Sequence, residues 1–390
     1  MPVNRAVGLS LAAAILLCSS TLNLAHAKPF MIVGIDEKVG WDDDGKTVLS
    51  APGKDQVLIV DLANPEDPKI VATLPLKNSI VGPPVNLDID PTGSVALVAN
   101  SVDVTKDGEA LKQALDNKIY VIDLKSSPPK LAATITAGKQ PSGLSISPSG
   151  KMALVANRGD NSISVLSING TDVKVTDTIA FPDSVSHVVF TPDGKRALAA
   201  RSPASKLSVL DIAGDKVTYN KLDLPTSQWP YNVVVTPNGK LALTSDNGGA
   251  GSSDGSVDTT SVIDLEANPP RVIDRVVVGD GPEGLAMSPK GDLAVAAILS
   301  GSNNKKAFFY KKNGSLSILK IDGKKVTKTQ DVEVGGLPEA VMFTPDGKYI
   351  LAGNFMTQDF SILKVNGTKV TDTGKRFKVP GHPASARMSH

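Results

Sequence analysis

The stretch Thr191-Pro192-Asp193-Gly194-Lys195 is one copy of a pattern that recurs along the whole chain. Proline fixes φ at the second position of such a turn, and glycine accepts the positive φ that a later position requires. The glycine of the pattern returns at spacings of 44 to 57 residues, at positions 45, 93, 150, 194, 239, 291 and 347. Repeats of roughly this length that are rich in short strands are typical of propeller blades.

Short apolar segments surround each turn and divide a repeat into four strands. In the copy quoted above, strand A is Val188–Phe190 and strand B is Ala197–Ala200. Strand C, Leu207–Asp211, alternates apolar and polar residues, which indicates two faces of different exposure. Strand D follows either a tight Asn-Gly or Asp-Gly hairpin or a loop that contains proline. The sequence therefore predicts an all-β fold, a seven-bladed β-propeller of four-stranded antiparallel blades.

The C-terminal segment predicts how the ring closes. Gly381–Ser389 repeats the opening of strand A, and the turn that should follow is missing. Because an unpaired strand edge is a liability, we expect this segment to pair with the first blade and close the ring. An alternative stays open for that blade, in which Val39–Trp41 is the inner strand and Phe30–Ile35 is an added outer strand.

The first 27 residues carry the pattern of a signal peptide rather than of a blade. Arg5 precedes an apolar run at Val7–Leu17, and Ala25–Ala27 has the small-x-small form of a cleavage site. The run is too short to cross a membrane. We therefore expect a periplasmic or secreted protein in which residues 28–390 form a single propeller domain. Cys18, the only cysteine, leaves a lipoprotein as the alternative.

Composition excludes some classes of partner. Lys and Arg total 41 and Asp and Glu total 40, which gives a net charge of +1, and aromatic residues make up 4% of the chain. A nucleic-acid surface requires clustered basic residues with stacking rings. We therefore expect no nucleic-acid partner, and the sequence predicts no membrane span.

The strands around the third turn carry a family resemblance. Ala153–Asn157 followed by Asn161–Leu166, after a Pro-x-Gly-Lys turn, resembles the YVTN repeats of lactonase-like β-propellers. Similar repeats occur in surface-layer proteins and in relatives of amine dehydrogenase heavy chains. The resemblance spans residues 28–390 and implies a lactonase-like seven-bladed propeller. The chain has no haem-attachment motif, dinucleotide fingerprint or nucleophile elbow, so we predict no cofactor.

Strand direction predicts which end of the ring carries the site. Residues seven and eight positions before each turn glycine enter strand A, and residues seven positions after it leave strand B. Because these two strands are antiparallel, both sets meet at one rim, opposite the Pro-x-Gly turns. Three insertions fall on the same rim, at 101–117, 247–259 and 300–313. We call this rim the looped face, and we predict that it binds the ligand.

The candidate site residues come from these positions. If the protein is an enzyme, the predicted catalytic residues are His187, Arg201, Glu283 and Glu339. The predicted ligand-binding residues are Asn86, Arg158, Asn232 and Asp246. Carboxylates and imidazole suit acid–base work, and arginine suits an oxyanion or carboxylate. The alternative for each is structural, as an ion-paired carboxylate, a satisfied buried histidine or an arginine paired with an acid.

No metal is predicted from ligand spacing. Asp254 and Asp258, in the Gly/Ser-rich stretch 248–258, could supply oxygen ligands to calcium, and a flexible insertion is the alternative interpretation.

Three functional hypotheses follow from the sequence. The first is an exported binding module that takes a small-molecule ligand or an envelope protein on the looped face. The alternative is a lactonase-like hydrolase of a lactone or sugar-acid ester in the central channel. A redox-partner subunit is the third.

Overall fold

The computed structural model describes Met1, residues 29–250 and residues 253–390. The predicted signal peptide, apart from Met1, and Cys18 therefore lie outside the described residues. Within the described part of the chain, the helices are two single turns of 3-10 helix at Arg158–Asp160 and Ser202–Ala204. No helix in this part is long and apolar enough to cross a membrane.

Seven four-stranded antiparallel sheets make up the fold, which confirms the predicted seven-bladed propeller. Each of blades 2–7 is a consecutive run of strands A to D. In order from A to D, blade 2 consists of Leu87–Ile89, Val95–Asp107, Ala110–Asp123 and Lys130–Thr136. Blade 3 consists of Pro141–Ile146, Met152–Asn157, Ser162–Asn169 and Asp172–Ala180. Blade 4 consists of His187–Phe190, Arg196–Arg201, Lys206–Ala213 and Lys216–Pro225.

The last three consecutive blades follow the same order. Blade 5 consists of Pro230–Val235, Leu241–Asp246, Asp258–Asp264 and Arg271–Gly279. Blade 6 consists of Pro282–Met287, Leu293–Ile298, Ser315–Asp322 and Lys325–Glu333. Blade 7 consists of Pro338–Phe343, Tyr349–Asn354, Asp359–Asn366 and Lys369–Lys378.

Blade 1 is completed by the two ends of the described chain. Its strands, from A to D, are Pro383–Met388, Phe30–Ile35, Gln56–Asp61 and Lys69–Leu74. Met388 pairs with Met31, and Ala386 pairs with Val33. The Ser389 backbone N–H also donates to the Phe30 carbonyl oxygen at 2.8 Å. The predicted closure of the ring by the C-terminal segment is therefore confirmed.

The alternative arrangement of blade 1 is wrong, and the first copy of the turn does not join two blade strands. Among the described strands, Val39–Trp41 pairs only with Thr47–Leu49, in a two-stranded hairpin between strands B and C of blade 1. Its turn imitates a blade turn because Asp42 Oδ1 accepts from the backbone N–H groups two and four residues later. Asp90 does the same in a true blade turn. We call residues 39–49 the cap hairpin.

Apolar faces of neighbouring blades pack against each other and form the core. Leu198, Leu207 and Val209 of blade 4, for example, contact Val233 and Ile263 of blade 5, and all five side chains are buried. Full burial of such a side chain contributes about 1.5–3 kcal/mol. The ring is therefore a rigid support for the loops of the looped face.

The longest insertions differ in form. In blade 2 the predicted insertion 101–117 is a continued strand ladder, which runs from Val102–Leu115 to Asp107–Ala110 and turns at Gly108. We call this extension the blade 2 arm. The insertions of blades 5 and 6 instead connect strands B and C without strands of their own in their described parts.

Candidate functional site

A cavity of about 230 Å³ lies at the looped end of the central channel. Its inner wall is formed by strand A residues of blades 5, 6 and 7 and by the turn after strand B of blade 3. The polar side chains of this wall are Arg158, Tyr231, Glu283 and Glu339. The cap hairpin contributes Trp41 and Thr47, and Gln113 of the blade 2 arm and Asn303 of the blade 6 insertion complete the polar lining.

The cap hairpin is fixed to the ring by packing and by a buried charge cluster. The Lys38 ammonium group is fully buried and contacts Asp55 Oδ2 at 2.7 Å and Asp36 Oδ1 at 3.3 Å. The Trp41 ring packs edge-on against Phe355, with 5.4 Å between ring centroids. The mouth of the channel is therefore covered by an ordered element.

Glu283 and Glu339 stand at equivalent positions in blades 6 and 7, each directly after a proline. Both are buried, at 5% and 2% exposure. The blades approach closely here because Gly284 has no side chain, and a Cβ at that position would overlap the Glu339 carbonyl oxygen. The two carboxyl groups are consequently close enough for each to influence the pKa of the other.

Burial is the largest cause of the raised pKa of both carboxyl groups. The negative charge of Glu283 and a hydrogen bond to it raise the pKa of Glu339 further. Hydrogen bonds from Glu339 and Asn247 and the charge of Arg158 oppose the rise in the pKa of Glu283. Of the two carboxyl groups, Glu339 has the more strongly raised pKa and therefore keeps its proton to a higher pH than Glu283.

Arg158 brings one positive charge to the same cavity. It begins the 3-10 turn after strand B of blade 3, and its guanidinium group lies 5.8 Å from the centre of the Tyr231 ring. Its buried Nη1 atom has no hydrogen-bond partner among the described residues. Burial raises the pKa of Tyr231, so its hydroxyl group keeps its proton. The cavity therefore offers one unpaired donor, Arg158 Nη1, beside the two carboxyl groups.

Glu283, Glu339 and Arg158 are the sequence-predicted residues that the structure brings together around this cavity. Tyr231 also lines the cavity and Asn247 supports Glu283 from outside the lining, although the sequence analysis gave neither a role. Asn247 donates to Glu283 Oε1 at 3.2 Å. The sequence signal that could have identified Asn247 was its position directly after the last residue of strand B.

His187 lies outside the lining of the cavity. It is 1% exposed, and its Nδ1 atom accepts from the Val233 backbone N–H at 3.2 Å. Burial, with a smaller contribution from the charge of Arg387, lowers the pKa of His187 to about 3. A neutral imidazole with so low a pKa is a weak base near pH 7, although its buried Nε2 atom has no hydrogen-bond partner among the described residues.

Asn86 and Asn232 occupy positions equivalent to that of His187 in blades 2 and 5 and are also buried. The Asn86 side-chain amide donates to the Ala99 carbonyl oxygen at 2.8 Å. The Asn232 amide group has no partner within hydrogen-bond distance among the described residues. Neither residue lines the cavity, so a ligand-binding role for them stays a prediction.

The expected placement of Arg201 and Asp246 beside the glutamates is wrong. Arg201 donates from Nε to Asp183 Oδ1 and from Nη1 to Asp223 Oδ2, each at 2.7 Å. Asp246 accepts from Ser261 Oγ at 2.6 Å and from Thr244 Oγ1 at 2.7 Å. Strand B is the second strand of a blade, so these side chains reach strands C and D instead of the channel.

A recurring hydrogen bond between strands B and C, which we call the bracket, explains the positions of Arg201, Asp246 and the asparagines that end strand B in other blades. The polar residue that ends strand B contacts a serine in strand C of the same blade. The pairs are Asn157 with Ser164, Arg201 with Ser208, Asp246 with Ser261, and Asn354 with Ser361. The bracket holds the two strands together at the looped face.

Asp254 and Asp258 lie in the blade 5 insertion, where carboxylates accept hydrogen bonds from backbone N–H groups. The Asp254 backbone N–H donates to Asp280 Oδ1 at 3.0 Å, and the Gly281 backbone N–H donates to Asp258 Oδ2 at 2.9 Å. Among the residues that the structure describes, no group of three or more His, Cys, Asp or Glu side chains is arranged to hold a metal ion.

Comparison with known families and structures agrees with this architecture. Residues 39–222 match the family model described as "Lactonase, 7-bladed beta-propeller". A search of curated proteins found no significant relative.

Three solved structures illustrate the range of proteins that share the fold. A candidate 6-phosphogluconolactonase from Bacteroides fragilis is 18% identical with a TM-score of 0.70, covering 94% of this chain and 99% of its own. The periplasmic gluconolactonase of Pseudomonas aeruginosa is 18% identical with a TM-score of 0.67, covering 93% and 99%. Hydrazine synthase of Kuenenia stuttgartiensis is 20% identical with a TM-score of 0.56, covering 74% and 78%. At these identities the likeness concerns the fold alone.

Proposed function

Because this chain is a lactonase-like seven-bladed β-propeller, we propose that it hydrolyses a lactone or sugar-acid ester in the capped cavity of its looped face. The observation that carries the proposal is the buried Glu283–Glu339 pair, which faces the same cavity as the unpaired guanidinium nitrogen of Arg158. Relatives of the same fold whose names refer to lactones of gluconic acid support the choice of substrate.

The chemistry requires no covalent intermediate with the protein. Water attacks the lactone carbonyl carbon while Glu283 takes a proton from that water. Arg158 Nη1 donates a hydrogen bond to the oxyanion that forms. When the ring C–O bond breaks, Glu339 gives its proton to the departing ring oxygen, and the products are one carboxyl group and one hydroxyl group. Transfer of the proton from Glu283 to Glu339 restores the pair.

The size and charge of the cavity favour a small, uncharged substrate. Its volume of about 230 Å³ is below the range of about 300–1,000 Å³ found for drug-sized ligands, so it suits a single ring. Its lining contains one cation and, with Glu339 protonated, one anion. A phosphorylated lactone would meet the Glu283 carboxylate with only Arg158 to compensate. We therefore expect lactones without a phosphate to be preferred.

A panel of γ- and δ-lactones, with and without a phosphate group, tests the proposal. Hydrolysis is followed in a pH-stat, with the spontaneous rate subtracted. Glu283→Gln should lower kcat/KM by about 10²–10⁴-fold, the usual contribution of a general base. Glu109→Gln is the matched control because Glu109 is exposed at the tip of the blade 2 arm. Absence of turnover across the panel would contradict the proposal. Saturable binding without turnover would support the binding module instead.

Export is a further part of the proposed function. It rests on Arg5, the apolar run Val7–Leu17 and the small residues Ala25–Ala27. Intact-mass analysis of the native protein should find Lys28 as its first residue. A retained N-terminus, or lipid on Cys18, would contradict export by this route.

A further inference from the structure

The blade 6 insertion contains an unusual run, Lys305-Lys306-Ala307-Phe308-Phe309-Tyr310-Lys311-Lys312. The whole chain has nine Phe, five Tyr and two Trp residues, yet three aromatic residues are consecutive here. A pair of lysines stands on either side of them. We call residues 305–312 the lysine–aromatic loop. It lies on the looped face, between strands B and C of blade 6.

The tip of this loop exposes a large apolar side chain. Phe308 is 93% exposed, whereas the next most exposed large apolar residue of the propeller, Val257, is 69% exposed. All four lysines of the loop are exposed as well. Exposed apolar side chains are common singly, but a ring so fully solvated between four cations points to a surface that it contacts.

Contacts within the blade 6 insertion and with the blade 5 insertion hold the backbone of the loop. The Tyr310 backbone N–H donates to the Ala307 carbonyl oxygen at 3.1 Å, and Phe309 packs where Gly255 and Gly301 leave room for its ring. The Phe308 ring meets the Phe309 ring edge-on, at a centroid distance of 5.2 Å. A fixed loop loses little conformational freedom when it binds.

The charge of the loop is only partly compensated within the molecule. Lys305 and Lys306 form exposed ion pairs with Asp43 and Asp44 of the cap hairpin. Lys311 and Lys312 have no salt bridge to any residue that the structure describes. The loop therefore presents an apolar tip and two lysines that form no salt bridge with the described residues.

We propose that the lysine–aromatic loop docks onto the surface of a lipid bilayer that contains anionic lipids. An aromatic side chain between lysines suits the boundary of headgroups and acyl chains, where the ring enters the apolar layer and the cations approach the phosphates. A soluble acidic protein fits less well, because a stable protein interface buries roughly 800 Å² on each side. A single protruding ring fits a deformable lipid surface better than a rigid partner.

Co-sedimentation with vesicles tests this surface without any need for catalysis. Purified protein is mixed with vesicles of phosphatidylcholine alone, or of phosphatidylcholine with 30% phosphatidylglycerol, at low and at high salt. We expect binding to the anionic vesicles at low salt and its loss at high salt, because exposed charges are screened. A Phe308→Trp variant should show a blue-shifted emission on binding, which reports entry of the ring into the apolar layer.

Two variants and a matched control decide the outcome. Phe308→Ala should weaken binding by tenfold or more, and Lys311→Gln with Lys312→Gln by about 25-fold, if each lysine contributes about fivefold. Lys216→Gln with Lys369→Gln makes the same charge change at exposed hairpins of the opposite face and should leave binding unchanged. Absence of binding to anionic vesicles would overturn the proposal. Binding that survives both loop variants, or that the control abolishes equally, would overturn it too.

Discussion

A single residue of the site, Glu339, lowers the stability of the fold as pH rises. Burial raises the pKa of Glu339 well above its ordinary value of 4.5. As pH rises above that value, the unfolded chain ionises this carboxyl group while the native state keeps its proton. The native state then binds more protons, so the free energy of unfolding falls as pH rises, until the native pKa is passed.

Glu339→Gln should remove this loss of stability. The amide cannot ionise, so the variant should lose less stability than the natural protein between pH 5 and pH 9. The slope removed is at most about 1.4 kcal/mol per pH unit. Thermal unfolding across that range measures it, with Glu109→Gln as the exposed control. Parallel curves for the variant and the natural protein would contradict a raised native pKa.

The site residues also show what sequence could and could not predict. The structure places Glu283 and Glu339 in the lining of one cavity, as expected from their equivalent strand A positions, and their catalytic role stays a prediction. Arg201 and Asp246 lie at the predicted end of strand B, but their side chains do not point towards the channel. Spacing from the turn glycine predicts where a strand ends, but it does not predict which neighbouring strand the last side chain faces. The raised pKa of both carboxyl groups could not be predicted, because it depends on the close approach of blades at Gly284.

Among the structural elements, the cap hairpin was mistaken for part of a blade. Its turn uses the same aspartate-to-backbone hydrogen bonds as the turn at Asp90, so the sequences look alike. What distinguishes it is long-range pairing: the C-terminal strand already occupies the inner position of blade 1. The same pattern therefore makes a blade turn in one place and a cover for the cavity in another.

The cap hairpin should depend on the buried Lys38 ammonium group. Lys38→Met would leave Asp36 and Asp55 without their cation, and breaking such a buried pair costs about 3–5 kcal/mol. We expect faster hydrogen exchange over residues 36–55 while the blades stay protected.

Lys46→Met, at the exposed tip of the same hairpin, is the control and should leave exchange unchanged. Adding Asp36→Asn and Asp55→Asn to Lys38→Met should recover part of the protection, because no unpaired charge is then buried. Unaltered exchange in Lys38→Met would show that the charge cluster does not hold the hairpin.

For the molecule as a whole, the ring is closed by residues at opposite ends of the chain. Deletion of Gly381–His390 would remove the inner strand of blade 1 and expose the edge of Phe30–Ile35. We expect a strongly lowered unfolding temperature and self-association through that edge. Deletion of His390 alone is the control. Calorimetry and size-exclusion chromatography measure both effects, and an unaltered unfolding temperature would contradict the importance of closure.

The pH dependence of lactone hydrolysis tests most directly whether the Glu283–Glu339 pair donates and accepts protons during the reaction. The natural protein should give a bell-shaped profile of kcat/KM, falling in acid as the pair gains a second proton and in alkali as it loses the proton of Glu339. Glu339→Gln should lower kcat/KM and lose the alkaline fall, since glutamine has no proton to release. A variant that keeps both the rate and the alkaline fall of the natural protein would contradict the account.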